Sequence, residues 1–99
     1  MSGAQGVPQD YSESAVWYRR AAEQGHAGAQ LYLGIYLAQG NGVEQNVVEA
    51  LKWIELAKGG TLLDTAAALE CQKKLVAYMT QEQIEEGLEL AKEFKPVKS

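Results

Sequence analysis

Apolar residues recur with helical spacing through most of the chain, in runs separated by Gly-rich or capped turns. From Ala27 to Gln39, the positions Ala29, Leu33, Tyr36 and Leu37 keep the period of an α-helix. Gly40-Asn41-Gly42 then stops that helix, because Gly and Asn accept left-handed backbone angles. Asn46, followed three residues later by Glu49, reads as a capping box for the next helix. That helix runs to about Lys58 with Ala50, Trp53, Ile54 and Ala57 on one face, and Gly59-Gly60 ends it. Ala27 to Gly60 is therefore a complete helix–turn–helix unit. Gly34 lies inside its first helix and costs about 1 kcal/mol relative to Ala. A neighbouring helix approaching closely there would offset that cost, so Gly34 is read as a helix contact point.

The flanking segments repeat parts of this unit. At an offset of 36, Gly6-Val7 pairs with Gly42-Val43, Gln9 with Gln45, Asp10 with Asn46, Glu13 with Glu49, Trp17 with Trp53, and Ala21 with Ala57. Glu55-Leu56-Ala57-Lys58 returns as Glu89-Leu90-Ala91-Lys92 at an offset of 34. Before the central unit, Met1 to Pro8 is a small, polar tail. Asp10 with Glu13 caps a helix from about Tyr11 to Gln24, with Ser14, Trp17, Tyr18 and Ala21 as its apolar stripe and Gly25 as its stop. After the central unit, Thr61 with Asp64 starts a helix from about Leu62 to Met79, expected to bury Leu62, Ala66, Leu69, Leu75 and Val76. Thr80 with Gln83 starts a last helix, about Gln81 to Lys95, in which Gly87 takes the place of the repeat Trp and Pro96 closes the run.

AQLYLGIYLAQGNGV followed by NVVEALKWIELA resembles a Sel1-like repeat, a relative of the tetratricopeptide repeat. Ala29, Gln30, Leu33, Gly34, Gly40, Gly42, Val43, Ala50, Trp53 and Ala57 occupy positions that match the family pattern, and Gly6 to Gly25 matches the second half of another repeat. Departures are Leu37 where an aromatic is usual, Asn46 for Asp, Ser14 for a small Ala, and His26 where Asp often caps. The resemblance implies an all-α fold, a short right-handed α-solenoid of antiparallel helix pairs with about five helices. It implies one domain over 1–99, divided into a half repeat at 6–25, a full repeat at 26–60 and a C-terminal capping helix pair at 61–96. In such solenoids the first helix of each pair lines the concave side. The first predicted helix here is the second member of a pair, so part of its stripe lacks its usual cover; either the chain is cut from a longer array, or another copy supplies that cover. Trp17 and Trp53, with Ala21 and Gly34, are assigned to packing between helices.

A chain of 99 residues holds one domain with a modest core. Its net charge of −4 and sequence pI near 4.9 argue against a nucleic-acid footprint, which needs a basic patch. No apolar run approaches the roughly 18 residues of a membrane span. Met1 to Gln9 lacks the apolar core of a signal peptide, so a cytoplasmic location is expected if Met1 is the native start; otherwise the location is open. The lone Cys71 excludes an internal disulfide.

Reactive chemistry is sparse. Cys71 with His26 is the one thiol–imidazole combination, and Cys71 reads as a buried, inert thiol inside a helix, His26 as a weak cap. The one His and one Cys cannot make a tetrahedral metal site without carboxylates. Glu82, Glu85, Glu86, Glu89 and Glu93 read as the solvated face of the last helix. Gly40-Asn41-Gly42 lacks the Lys-Ser/Thr of a phosphate loop. No catalytic residue, metal or cofactor is expected.

Tyr32 and Tyr36 are four apart and share a helical side, and Gln39 extends it. Two readings stand: the tyrosines cover a neighbouring repeat, or with Gln39 they form a peptide-binding strip on the concave face, apolar area with polar tips. The functional expectation is a non-catalytic protein–protein interaction module of bacterial Sel1-like type, an adaptor for a peptide or protein partner. An alternative is a self-assembling structural module, a homo-oligomer formed through the uncovered N-terminal helix. A hydrolase of the β-lactam-binding kind, which the resemblance also brings in, is opposed by the missing cysteines and the absence of a Ser–Lys or Ser–His grouping.

Overall fold

The computed structural model describes residues 11–96. Among them the order is α1 Tyr11–Glu23, α2 Ala27–Gln39, α3 Val47–Ala57, α4 Leu62–Val76 and α5 Gln81–Glu93, with no strand. The all-α expectation holds, and the helix starts fall where the cap residues stand. Thr61 Oγ1 accepts the Asp64 N–H at 3.1 Å while the Asp64 carboxylate accepts the Thr61 N–H at 3.3 Å. Thr80 and Gln83 make the same reciprocal pair at 3.1 and 2.9 Å. The ends are shorter than expected: α4 stops at Val76 rather than Met79, and α5 at Glu93 rather than Lys95. Asp10 and the preceding tail lie outside the described residues.

Two caps differ from expectation. Asn46 Oδ1 accepts the Glu49 N–H at 3.0 Å, but the return bond is not made. The Asn46 N–H instead donates to the Leu37 carbonyl at 2.9 Å, satisfying one of the acceptors that the end of α2 leaves open. The Glu49 carboxylate is thereby released to accept from Arg19 Nη1 at 3.0 Å and Trp53 Nε1 at 3.3 Å. His26, read as a weak cap, is a working one: its Nδ1 accepts the Ala29 N–H at 3.1 Å.

Successive helices pack antiparallel from α1 to α4. Gln30, buried in α2, donates through Nε2 to the Ala22 carbonyl of α1 at 3.1 Å, so the one buried polar side chain among the described residues is also a tie between helices. Gly34 is the contact point of α2 with α3. A Cβ there would lie 2.6 Å from Ile54 Cγ1 and 3.1 Å from the Ala50 carbonyl oxygen. The turn after α2 carries Gly42 at φ +70°, with its α-carbon against the backbone of Tyr11 and Ser12, where no side chain fits. The centre of the core is Leu33, Ala50, Leu51, Trp53, Ile54 and Ala57.

α5 departs from the expected pairing. It packs along α3 rather than on α4. The place of the repeat Trp is Gly87, and this glycine lets α5 come within 2.9–3.0 Å of Val48 and Leu51, measured from the Cβ it lacks. Phe94 then lies edge-on to Trp53 with ring centroids 5.2 Å apart. Gly87 faces Val48 and Leu51 while Phe94 faces Trp53, so α5 runs in the same direction as α3.

Three burial expectations are corrected. Trp17, assigned to interhelical packing, is 63% exposed, whereas its repeat counterpart Trp53 is 1% exposed under Phe94 and Lys52. Among the described residues nothing comparable covers Trp17, whose indole face meets the Arg20 guanidinium at 5.5 Å. α1 buries Ala15 and Ala22 with Tyr18 partly covered, so its inward side is rotated from the expected Ser14–Trp17–Tyr18–Ala21 stripe. In α4, Leu75 is buried and Val76 is partly so, but Leu62, Ala66 and Leu69 are exposed; Ala68 and Cys71 face inward instead.

Candidate interaction surface

α2 and α4 run side by side over α3, and the space between their C-terminal halves is an open groove of about 400 Å³. Ile35, Ala38 and Gln39 of α2 form one wall, Cys71, Lys74, Leu75 and Tyr78 the other, and Ile54 of α3 lies in the floor. The periodicity of each helix produces this arrangement. α2 uses Leu33, Gly34 and Leu37 for the core, which leaves Ile35 and Gln39 on the flank toward α4. α4 uses Ala68 and Leu75 for the core, which leaves Lys74 and Tyr78 at the rim. The groove is apolar with three polar tips, the Gln39 amide, the Lys74 ammonium and the Tyr78 phenol, a composition that suits an apolar side chain held in place by polar neighbours.

A polar network fixes α4 on α3 beside the groove. Gln72 Nε2 donates to Glu55 Oε1 at 2.7 Å, and Lys58 Nζ lies 2.9 Å from the same oxygen. Thr65 Oγ1 donates to the Lys58 carbonyl at 2.8 Å. Burial pushes the Glu55 carboxyl upward, but the hydrogen bonds from Lys58 and Gln72 and the Lys58 charge outweigh it, so its pKa is lowered.

The three residues expected to form a strip are only partly brought together. Tyr32 is half-exposed and stacks on Tyr18 of α1 with centroids 5.2 Å apart. Tyr36 is set edge-on to Tyr18 at 5.5 Å and to Tyr11 at 5.4 Å, so it chiefly covers α1. Burial against α2 raises the Tyr18 phenol pKa, with Tyr36 and Tyr32 adding in the same direction. Gln39 stands apart from this cluster, in the groove wall, accepting from Asn41 Nδ2 at 2.6 Å. The sequence reading missed Ile35, Ala38, Lys74 and Tyr78. The available signal was Ile35, an apolar residue off the Ala29–Leu33–Leu37 stripe and therefore left for some other contact.

The remaining side chains with reactive potential stay separate. Cys71, expected buried, is a free, partly exposed thiol in the groove wall, and His26 caps the opposite end of α2. Glu82, Glu85, Glu86, Glu89 and Glu93 are all exposed on the solvent side of α5. Among the described residues no group of three or more His, Cys, Asp or Glu is placed to hold a metal ion. No described helix is long and apolar enough to cross a membrane.

Comparison with known families gives one match. The model described as Sel1 repeat fits residues 1–26 and 27–58, more than half of the chain and the two segments related by the 36-residue offset. No solved structure matches the chain.

Proposed function

Since the chain belongs to the Sel1 repeat family, whose repeats generally serve as protein–protein interaction modules, we propose that it is a non-catalytic adaptor that seats a peptide segment of a partner protein in the groove between α2 and α4. The observation that carries this reading is the open apolar groove itself, rimmed by Gln39, Lys74 and Tyr78. Tyr32 extends the same exposed side of α2 and offers a second contact, whereas Tyr36 contributes by holding α1. The test is affinity capture from the source cell with three baits: the native chain, Ile35→Glu, and the Tyr32→Ala/Tyr36→Ala double variant. A partner retained by the native chain and lost with Ile35→Glu, at unchanged helicity, supports the groove. Equal retention by the native chain and Ile35→Glu refutes it. Loss confined to the tyrosine variant at unchanged helicity moves the contact to the α1–α2 edge.

A second reading is self-association. It is favoured by the exposure of Trp17 on α1 and of Leu62 and Leu63 on α4, large apolar groups that a lone copy leaves in water.

A further inference from the structure

The polar edge of the groove between α2 and α4 is made of donors. α2 contributes no charged residue to its wall, since AGAQLYLGIYLAQ contains none. Gln39 Oε1 is taken by Asn41 Nδ2 at 2.6 Å, which leaves the Gln39 Nε2 amide, a donor, without a protein acceptor among the described residues. On the other wall Lys74 is the one charged group that lines the groove, and an ammonium can only donate. Among the described residues it makes no ion pair, not even with Glu70 four residues earlier. The exposed Tyr78 phenol lies about one turn beyond Lys74. No carboxylate lines the groove, and Glu55, the neighbour of Ile54 in the floor helix, is committed to Gln72 and Lys58. Lysines near a helix C-terminus also complement its dipole. Lys73 and Lys74 both stand in the last turn of α4, but only Lys74 opens on the groove.

We propose that the partner segment seated in this groove carries a carboxylate beside its apolar anchor: a large apolar side chain enters between Ile35 and Leu75, and an Asp or Glu of the same segment accepts from Lys74, with the Gln39 amide and the Tyr78 hydroxyl as further donors. This rests on the groove reading above and names the chemistry of the occupant. Charge complementarity sets the sign, because a basic flank would meet Lys74 as a like charge with no opposite charge lining the groove. The net charge of −4 limits the number: the chain as a whole repels an acidic run, whereas a single carboxylate meets the Lys74 ammonium locally. The source is a side chain rather than a chain terminus. Both walls are helix flanks whose backbone N–H groups are bonded within their helices, so no nest of N–H donors is offered to a terminal carboxylate. Dimensions set the spacing. Cys71 to Tyr78 is seven residues of α4 wall, about 10 Å at the helical rise, a length that about three residues of extended chain span. Lys74 lies midway, which places the carboxylate within about two positions of the anchor. Burial of the anchor supplies affinity, and the ion pair at the open rim supplies specificity.

The test is selection from a random-peptide phage library, with the peptides fused through their C-termini so that only side-chain carboxylates are presented. The targets are the native chain, Lys74→Glu and Ile35→Glu, each checked by circular dichroism for native helicity. The native chain is expected to enrich peptides with a large apolar residue and an Asp or Glu within about two positions of it. Lys74→Glu is expected to enrich the same apolar residue with Lys or Arg in the acidic place. A synthetic peptide of the native consensus should bind Lys74→Glu at least about fivefold more weakly than the native chain, the loss of an exposed ion pair, and reversing the peptide's acid to Lys should restore binding to that variant. An apolar consensus without an acid, or an acid retained on Lys74→Glu, overturns the carboxylate pairing and leaves the groove reading standing. The same peptides enriched on Ile35→Glu, or no consensus on the native chain, overturns both. Sedimentation velocity tests the other occupant: self-association of the native chain that Ile35→Glu abolishes places a second copy in the groove and overturns the pairing.

Discussion

Gly34→Ala is the sharpest probe of how the two central helices are held together. In an open helix the change would stabilise by about 1 kcal/mol, because alanine is the better helix former. Here the new methyl carbon would lie 2.6 Å from Ile54 Cγ1, 3.1 Å from the Ala50 carbonyl oxygen and 3.3 Å from the Ile54 nitrogen. Two of the three are backbone atoms and cannot swing aside. The third is the first branch of a β-branched side chain with few rotamers to choose from. Relief therefore requires α2 and α3 to separate by several tenths of an ångström along their whole contact, and overpacking of this kind costs about 1–3 kcal/mol. Set against the propensity gain, the expected net loss is up to about 2 kcal/mol. For a domain of this size that lowers Tm by up to about 16 °C. Urea unfolding followed by far-ultraviolet circular dichroism measures it. The decisive control is Ile54→Ala, which removes the obstructing carbon and on its own costs about 2–5 kcal/mol as a buried truncation. In the double variant the methyl group introduced in place of Gly34 occupies part of the vacated space, so the two losses should sum to more than the double variant shows. A Gly34→Ala variant more stable than the native chain by the full open-helix gain of about 1 kcal/mol, or strict additivity with Ile54→Ala, would refute the close-approach argument.

The repeat tryptophans should behave oppositely despite their equivalent positions. At concentrations where the chain is monomeric, Trp53→Ala is expected to cost about 3–5 kcal/mol of unfolding free energy, and Trp17→Ala to stay within about 0.5 kcal/mol of the native chain, both read by urea titration. The Glu55 network predicts acid sensitivity. Its carboxyl pKa is lower in the folded chain than in the unfolded one, so its stabilisation is fully present above the ordinary glutamate value of about 4.3 and fades as the pH falls below that through the folded value. Tm measured from pH 7 down to pH 3 should therefore decline less steeply for Glu55→Gln than for the native chain; parallel profiles would show that the network contributes nothing.

Local features were legible in the sequence, and features set by the placement of a second element were not. Thr61, Thr80 and Asn46 mark helix starts because a cap bonds to backbone three residues away, wholly within the text of the chain. Gly34 was legible because a glycine inside a helix needs a reason, and close approach is one. Glu49 was misread as half of a local box because the competing donors, Arg19 and the Trp53 indole, come from another helix and from the next turn. Trp17 and the Leu62–Leu69 stripe were misread for a related cause: periodicity identifies an apolar flank but not whether a neighbour arrives to cover it. The arrival of α5 on α3 decides that, and it depends on Gly87, whose replacement of the repeat Trp is visible in the sequence while its geometric consequence is not. The groove was illegible for the same reason, since it exists only where α2 and α4 lie side by side; of its lining, only Gln39 was singled out as a contact residue.

The ring of Phe94 lying against Trp53 also imposes an order of events during synthesis. The indole at position 53 is made first, and its cover at position 94 follows 41 residues later. At about 5–20 residues per second, the ribosome leaves the largest side chain of the interior waiting for a time on the order of seconds. Until Phe94 is added, the nascent helices carry an open aromatic at their centre, a surface suited to chaperone capture and to mispairing with a neighbouring nascent copy.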